Sequence, residues 1–325
     1  MTAALVTLVH CKANDASDDK ICDTAQALVA NPMRGHSMPA KTIALTFDDG
    51  PGDRTMELSK FLKEEGIEAA FFVNGRMIND NLHVLQQVME DGHLIANHTE
   101  THASLTGAAT ATAPLTDAET VKELADTDAK IAPFVTGERF LFRPPFGDWN
   151  ETAFAALEAS DMKKYVGPIF WDVGDRLDEA AGRAADWDCW QDGTDAKRLT
   201  TQQCGDLYLT EIRRNGRGIV LMHDPYYNDL DPNLEGTVDM VKYMVPILKA
   251  EGFAFLRVDK VPDIAKALPA LEDRPDAGTD PNNAEPIGGE GPNAAPPGDG
   301  NDPCPPAPQP TTSEHSGESG NLRKR

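Results

Sequence analysis

The chain has 325 residues, enough for one large α/β domain or two smaller ones, since a single α/β barrel fills ~200–250 residues. Apolar residues make up 40% of it, which supports a sizeable core, and 53 acidic against 30 basic side chains leave a net charge of −23. That excess of negative charge argues against nucleic acid or an anionic membrane surface as a partner, because both select Lys and Arg.

Residues 1–36 read as a polar lead-in (CKANDASDDK). Its first segment, MTAALVTLVHC, is apolar but lacks the basic n-region and small-residue cleavage site of a signal peptide. No run of ~18 apolar residues occurs, so no membrane-spanning helix is expected. From Thr42 onward, short apolar runs alternate with amphipathic segments. The runs are Thr42–Phe47, Ala69–Val73, His93–Asn97, Arg139–Phe142, Tyr165–Val173, Gly218–Met222 and Phe253–Val258. Helices are predicted over Thr55–Glu65, Leu82–Glu90, Asp117–Ala132, Glu151–Ser160, Asp206–Asn215 and Val238–Glu251. Such alternation predicts right-handed βαβ units and a parallel sheet, and strand candidates without a clear edge predict a closed or nearly closed barrel over residues 37–268. Residues 269–325 are rich in Pro, Gly, Asn, Asp and Ser with almost nothing apolar to bury, so a disordered tail is expected.

Cysteines stand at 11, 22, 189, 204 and 304, with no Cys-x-x-Cys pair, which argues against a thiolate zinc knuckle. Cys189 and Cys204 flank one polar loop, and a disulfide between them is expected. Cys11 and Cys22 form a second candidate pair, and the plain alternative is free thiols throughout.

The strand candidates end in chemically capable residues: TIALTF at Asp48-Asp49, HLIAN at His98, RFLF at Arg143 and GIVLM at His223. In parallel α/β folds the C-terminal strand ends form one rim, where active sites are assembled. Two adjacent carboxylates on an extended strand point apart, so Asp48 and Asp49 have different jobs, one as metal ligand and one as base. His98 and His102, four apart, lie on one side of a helical turn and can grip one ion. With one aspartate they make a His₂Asp set that leaves a coordination position open for water. Arg143, stiffened by Pro144-Pro145, is placed to hold a carboxylate by a bidentate pair, and the N–H of Phe146 to face an oxyanion. Three of the four tryptophans, at 171, 187 and 190, fall in one stretch suited to sugar rings or to a core. His223 at a strand end suits a general acid. Taken singly, each segment is equally a polar turn or a structural histidine; together, and in this order, they are specific.

Together TFDDGP, NHTETH, FRPPFG, the ADW stretch and LMH resemble the five motifs of the polysaccharide deacetylase family, the NodB-like carbohydrate esterases, over about Lys41–Asp263. The resemblance implies a distorted (β/α)₇ barrel and removal of N-acetyl groups from a chitin- or peptidoglycan-like polysaccharide. It implies Asp48 as general base, Asp49, His98 and His102 as ligands of one divalent metal (zinc first, with Co, Ni or Fe as alternatives), and His223 as general acid. It further implies that Arg143 orients Asp48, that Phe146 supplies an oxyanion N–H, and that Leu221 lines a pocket for the acetyl methyl. Trp187 is a substrate contact on the same reading. The chain departs from the family at the fourth motif, which is spread from Asp172 to Asp186-Trp187, so either aspartate is a candidate support for His223. An O-acetyl esterase acting on xylan-like polymers and a catalytically idle sugar-binding protein remain alternatives on the same residues. A polymeric substrate implies an extracytoplasmic location. Polymer choice is expected to reside in the loops at 106–116 and 189–204.

Overall fold

A computed structural model describes residues 28–78, 81–190, 199–224 and 236–269; the expected tail and the Cys11–Cys22 pair lie outside the described residues. The strands are β1 (Leu28–Met33), β2 (Thr42–Asp48), β3 (Ala70–Val73), β4 (Leu94–Asn97), β5 (Gly167–Ile169), β6 (Arg217–His223) and β7 (Ala254–Phe255). The helices are α1 (Thr55–Glu64), α2 (Gly75–Ile78), α3 (Leu82–Glu90), α4 (Asp117–Ile131), α5 (Glu151–Glu158), α6 (Asp186–Cys189), α7 (Thr201–Asn215), α8 (Thr237–Ala250) and α9 (Pro262–Ala267).

All pairings between named strands are parallel, as strand–helix alternation requires. β2 is central: β6 runs along its whole length on one side, while β3 and β7 share the other, β3 at the C-terminal half and β7 at Thr42–Ile43. β4 extends the sheet beyond β3. The circuit is then completed by single bridges: Asn97 to Phe142, Leu141 to Val166 ahead of β5, and Val173 to Val220 in β6. The expected strand Arg139–Phe142 is thus reduced to bridging residues, and the fold is an α/β barrel closed by isolated contacts on one side. β1 falls inside the segment read as a lead-in; it pairs with β5 and so belongs to the barrel wall.

The alternation of side chains along each strand produces two cores. Ile43, Leu45, Phe47, Phe71, Val73, Ile95, Val220 and Met222 face outward, against apolar faces of α1, α3, α7 and α8. Ala44, Ala70, Phe72, Ala96, Leu141, Val166, Ile169, Ile219 and Leu221 fill the other side, the barrel lumen. Small residues on β2, β3 and β4 leave room there for Phe72 and for a buried arginine described below. The strands are buried on both faces, which is why they read as continuous apolar runs.

Candidate active site

The strand register puts the motifs on one rim. Asp48 is level with Phe72 of β3 and His223 of β6, and Phe72 in turn is level with Ala96 of β4. Asp49, His98 and Arg143 therefore emerge from neighbouring strand ends, although up to 94 positions separate them in sequence.

Asp49, at φ 70°, leaves the strand in a left-handed conformation, and His98 Nε2 also lies 3.6 Å from Asp48 Oδ2. Asp49 Oδ1 lies 3.4 Å from His98 Nε2 and 3.2 Å from His102 Nε2, and the three ligand atoms all fall within 4.8 Å of one another. The expected helical turn is absent: His98 to His102 is an irregular loop with Thr99 at φ 66° and His102 at φ 61°. Asn97 holds the turn, its Oδ1 accepting from Thr99 N at 2.9 Å. Positive φ values, not helical periodicity, bring the two imidazoles to one point.

The donor set fits a divalent metal. His98 Nδ1 lies 2.8 Å from the Arg143 carbonyl, which can only accept, so the proton is on Nδ1 and Nε2 presents a lone pair to the cluster. Burial, which outweighs the pull of Asp49, lowers the His98 pKa to about 3 and keeps the ring neutral; burial likewise lowers that of His102. Asp49 Oδ1 is buried and accepts no hydrogen bond among the described residues, a costly state for a carboxylate oxygen unless a cation sits there.

Asp48 is in a different environment. Its Oδ1 accepts from Arg143 Nη1 at 2.6 Å, and Arg143 is fully buried. The guanidinium also donates to Thr46 Oγ1 at 3.0 Å and to the Ile169 carbonyl at 2.9 Å, and it lies 4.1 Å over the Phe72 ring. The bidentate pair expected from sequence is not formed: one nitrogen reaches Asp48, and Nη2 has no hydrogen-bond partner among the described residues. The geometry of the fork is used instead on Thr46 and Ile169, residues with no sequence signal. Burial raises the Asp48 pKa above the usual carboxylate value, and Arg143 opposes this without cancelling it.

Phe146 sits at φ 59° and is 52% exposed, with its ring 4.5 Å from that of His102; no acceptor among the described residues engages its N–H. Asp148, just beyond, accepts from Thr106 N at 3.0 Å and from the hydroxyls of Ser104 and Thr106, which ties the start of the 106–116 loop to this turn.

On the opposite side of Asp48, His223 Nδ1 lies 2.8 Å from Asp186 Oδ1, and His223 N donates to Asp186 Oδ2 at 2.6 Å. Burial would lower the His223 pKa, but the Asp186 charge and hydrogen bond overcome it and push it up to about 9. Asp172 sits elsewhere. Its Oδ2 accepts from Gly35 N and Ile219 N, both at 2.8 Å, near the N-terminal entry of β6. Two aspartates equivalent on sequence thus brace opposite ends of one strand. Leu221 points into the lumen and is 4% exposed. Of the clustered tryptophans, Trp190 is fully buried in the outer core, Trp171 packs in the lumen, and Trp187 remains half-buried. Sequence reasoning missed Thr46, Tyr208 and Thr237, all of which hydrogen-bond to site residues; isolated hydroxyls carry no motif.

A family model described as polysaccharide deacetylase matches residues 35–165. The chitooligosaccharide deacetylase of Azorhizobium caulinodans is 28% identical over 224 residues, spanning 66% of this chain and 90% of that protein. The peptidoglycan-N-acetylglucosamine deacetylase of Bacillus cereus is 27% identical, over 68% and 88% of the two chains. Among solved structures, the peptidoglycan deacetylase PdaC of Bacillus subtilis superposes with a TM-score of 0.50 at 25% identity, over 70% of this chain and 92% of that one. The Asp-His-His cluster, the buried Arg–Asp pair and the Asp–His pair stand in motif order on the strand-end rim of the same fold, and the chain belongs to the polysaccharide deacetylase family of NodB-like carbohydrate esterases.

Proposed function

We propose that this protein is a metal-dependent hydrolase that removes N-acetyl groups from a chitin- or peptidoglycan-like polysaccharide and releases acetate. The observation that carries the reading is the convergence at one rim of a metal-binding triad with a base candidate on one side and an acid candidate on the other. Asp49, His98 and His102 would hold the ion, zinc first by its match to imidazole and carboxylate donors. That ion supplies polarisation of the carbonyl and a more acidic water.

Asp48 takes the proton of the attacking water. Its raised pKa makes it a stronger base than an exposed carboxylate, and Arg143 keeps it ionised and fixed. The Phe146 N–H faces the oxyanion, and Leu221 and the lumen receive the acetyl methyl. His223, protonated through its partnership with Asp186, gives its proton to the departing amine nitrogen, and the amine leaves neutral. The exposed Phe146 ring and half-buried Trp187 are offered as surfaces for sugar rings.

The Cys189–Cys204 disulfide supports an oxidising, extracytoplasmic compartment, consistent with a polymer that cannot enter a cell. No described helix is long and apolar enough to cross a membrane. The deciding experiment measures acetate release from N-acetyl chitooligosaccharides, peptidoglycan fragments and acetylated xylan, with chelator and with re-added zinc, cobalt or nickel. Metal-restored release from the amides is expected. Release from xylan alone would make it an O-acetyl esterase, and release from none would leave a sugar-binding protein.

A further inference from the structure

The Asp186–His223 pair is held from behind by residues that the chemistry above does not use. Asp186 opens α6, a helix of only four residues, which has little stability of its own, so neighbours set the direction of its carboxylate. The last residue of α6, Cys189, is bonded to Cys204 of α7. One turn along α7, and therefore on the same face as Cys204, Tyr208 is fully buried. Its hydroxyl accepts from Asp186 N at 3.0 Å and donates to the Leu221 carbonyl at 3.0 Å. A tyrosine hydroxyl has one proton, and the Leu221 carbonyl is the nearer acceptor for it, with Asp186 Oδ1 at 3.4 Å. The group is a stitch between the first N–H of α6 and the strand that carries His223.

From α8, Thr237 Oγ1 donates to Asp186 Oδ2 at 2.9 Å, and Trp190 Nε1 backs it at 3.4 Å. With Trp187 N donating to Oδ1 at 2.9 Å, the carboxylate is ringed by donors and has one orientation, the one that accepts His223 Nδ1–H. The titratable groups around the ring are the carboxylates of Asp186, Asp49 and Asp48 and the imidazole of His102. Neither Tyr208 nor Thr237 adds a charge, so their influence on His223 is geometric.

We propose that Tyr208 and Thr237 are positioning residues for proton delivery: acting through Asp186, they fix the tautomer and direction of His223. This rests on the reading of His223 as the general acid. The step they serve is the one in which the ring proton of His223 passes to the departing nitrogen as the C–N bond breaks. A poor leaving group needs that proton at the moment of cleavage. A nitrophenolate does not.

The test compares Tyr208→Phe and Thr237→Val with the unaltered, metal-loaded protein on an N-acetyl chitooligosaccharide and on p-nitrophenyl acetate. Turnover of the amide should fall by about ten- to a hundredfold, part of the ~10²–10⁴-fold that acid–base catalysis contributes, with KM little changed and turnover of the aryl ester within about threefold. In parallel, ¹⁵N NMR of the His223 ring, recorded above its folded pKa of about 9 so that the imidazole is neutral, should show a fixed Nδ1–H tautomer in the unaltered protein and tautomer mixing in each variant. Equal losses on both substrates, or an unchanged tautomer and unchanged amide turnover in either folded variant, would overturn the proposal. If Tyr208→Phe does not fold, Thr237→Val carries the same comparison. Should the unaltered protein hydrolyse neither substrate, the functional reading fails, and the NMR comparison on metal-free protein still decides whether Tyr208 and Thr237 position the ring.

Discussion

Adjacent carboxylates become chemically distinct here through one backbone torsion. The left-handed φ of Asp49 turns its oxygen onto two imidazoles, while Asp48, still on the strand, meets the Arg143 guanidinium. Asp49→Ala or His102→Ala should therefore remove bound metal and activity together. Asp48→Asn keeps the shape of the site but cannot take a proton, so metal content should be retained while turnover drops by ~10²–10⁴-fold. Elemental analysis and rates on the same preparation check both; metal lost with Asp48→Asn would make Asp48 a ligand. His223 supports a pH prediction. Its folded pKa of about 9 lies above the ordinary 6.5, so the Asp186–His223 pair stabilises the fold fully below pH 6.5 and progressively less as pH rises through about 9. Denaturant midpoints of metal-free protein between pH 6 and 10 should show this loss, and His223→Ala should flatten it.

Helix starts are where side chains can take up orphan backbone groups, and α4, α5 and α7 begin in this way. Thr116 with Glu119 forms a capping box at α4, and Asn150 caps α5 through Ala153 N. At α7 the reading began at Asp206, whereas the helix begins at Thr201, capped by Thr200 and Gln203 in a second capping box. The T-x-x-Q signal was present but sat next to the polar loop. Those additional residues matter, because they bring Cys204 into the helix and onto α6. Cross-linking positions 15 residues apart removes unfolded-chain entropy worth roughly 3 kcal/mol. The Cys189→Ala/Cys204→Ala variant should therefore unfold at lower denaturant by about that free energy; a shift below about 0.5 kcal/mol would mean the loop is ordered without the bond.

At the scale of the molecule, the barrel closes partly by ladders and partly by single bridges, and the site straddles both. β6, β2, β3 and β4 form the continuous wall that carries His223, Asp48 and His98, whereas Arg143 and β5 join through isolated pairings. A fully buried guanidinium in the lumen, under Asp48 and over Phe72, links the two halves. After α9, Leu268 is buried, and the Pro269 carbonyl accepts from Arg139 Nη1 at 2.8 Å. Deleting residues 270–325 should leave the melting temperature within about 2 °C, because their composition offers little apolar surface to bury. Deleting from Leu268 should lower it; calorimetry on both truncations separates the two.

The local sequence determined what depends on neighbours along the chain. Apolar runs fixed the order of strands and helices, and the segments of Asp48-Asp49, His98 and His223, each at the end of its own strand, reached the rim through parallel topology. Partner choice across the fold was different. Asp172 and Asp186 follow the same strand and carry the same side chain, yet one accepts from Gly35 and Ile219 at the entry of β6 while the other accepts from His223 at its exit. Likewise, sequence gave no reason for Arg143 to divide its donors among Asp48, Thr46 and Ile169, or for Tyr208 and Thr237 to meet at Asp186. A hydrogen bond between residues far apart in sequence depends on where packing places both partners. Spacing constrains a residue's direction only within its own element, so those pairings were decided by the tertiary structure.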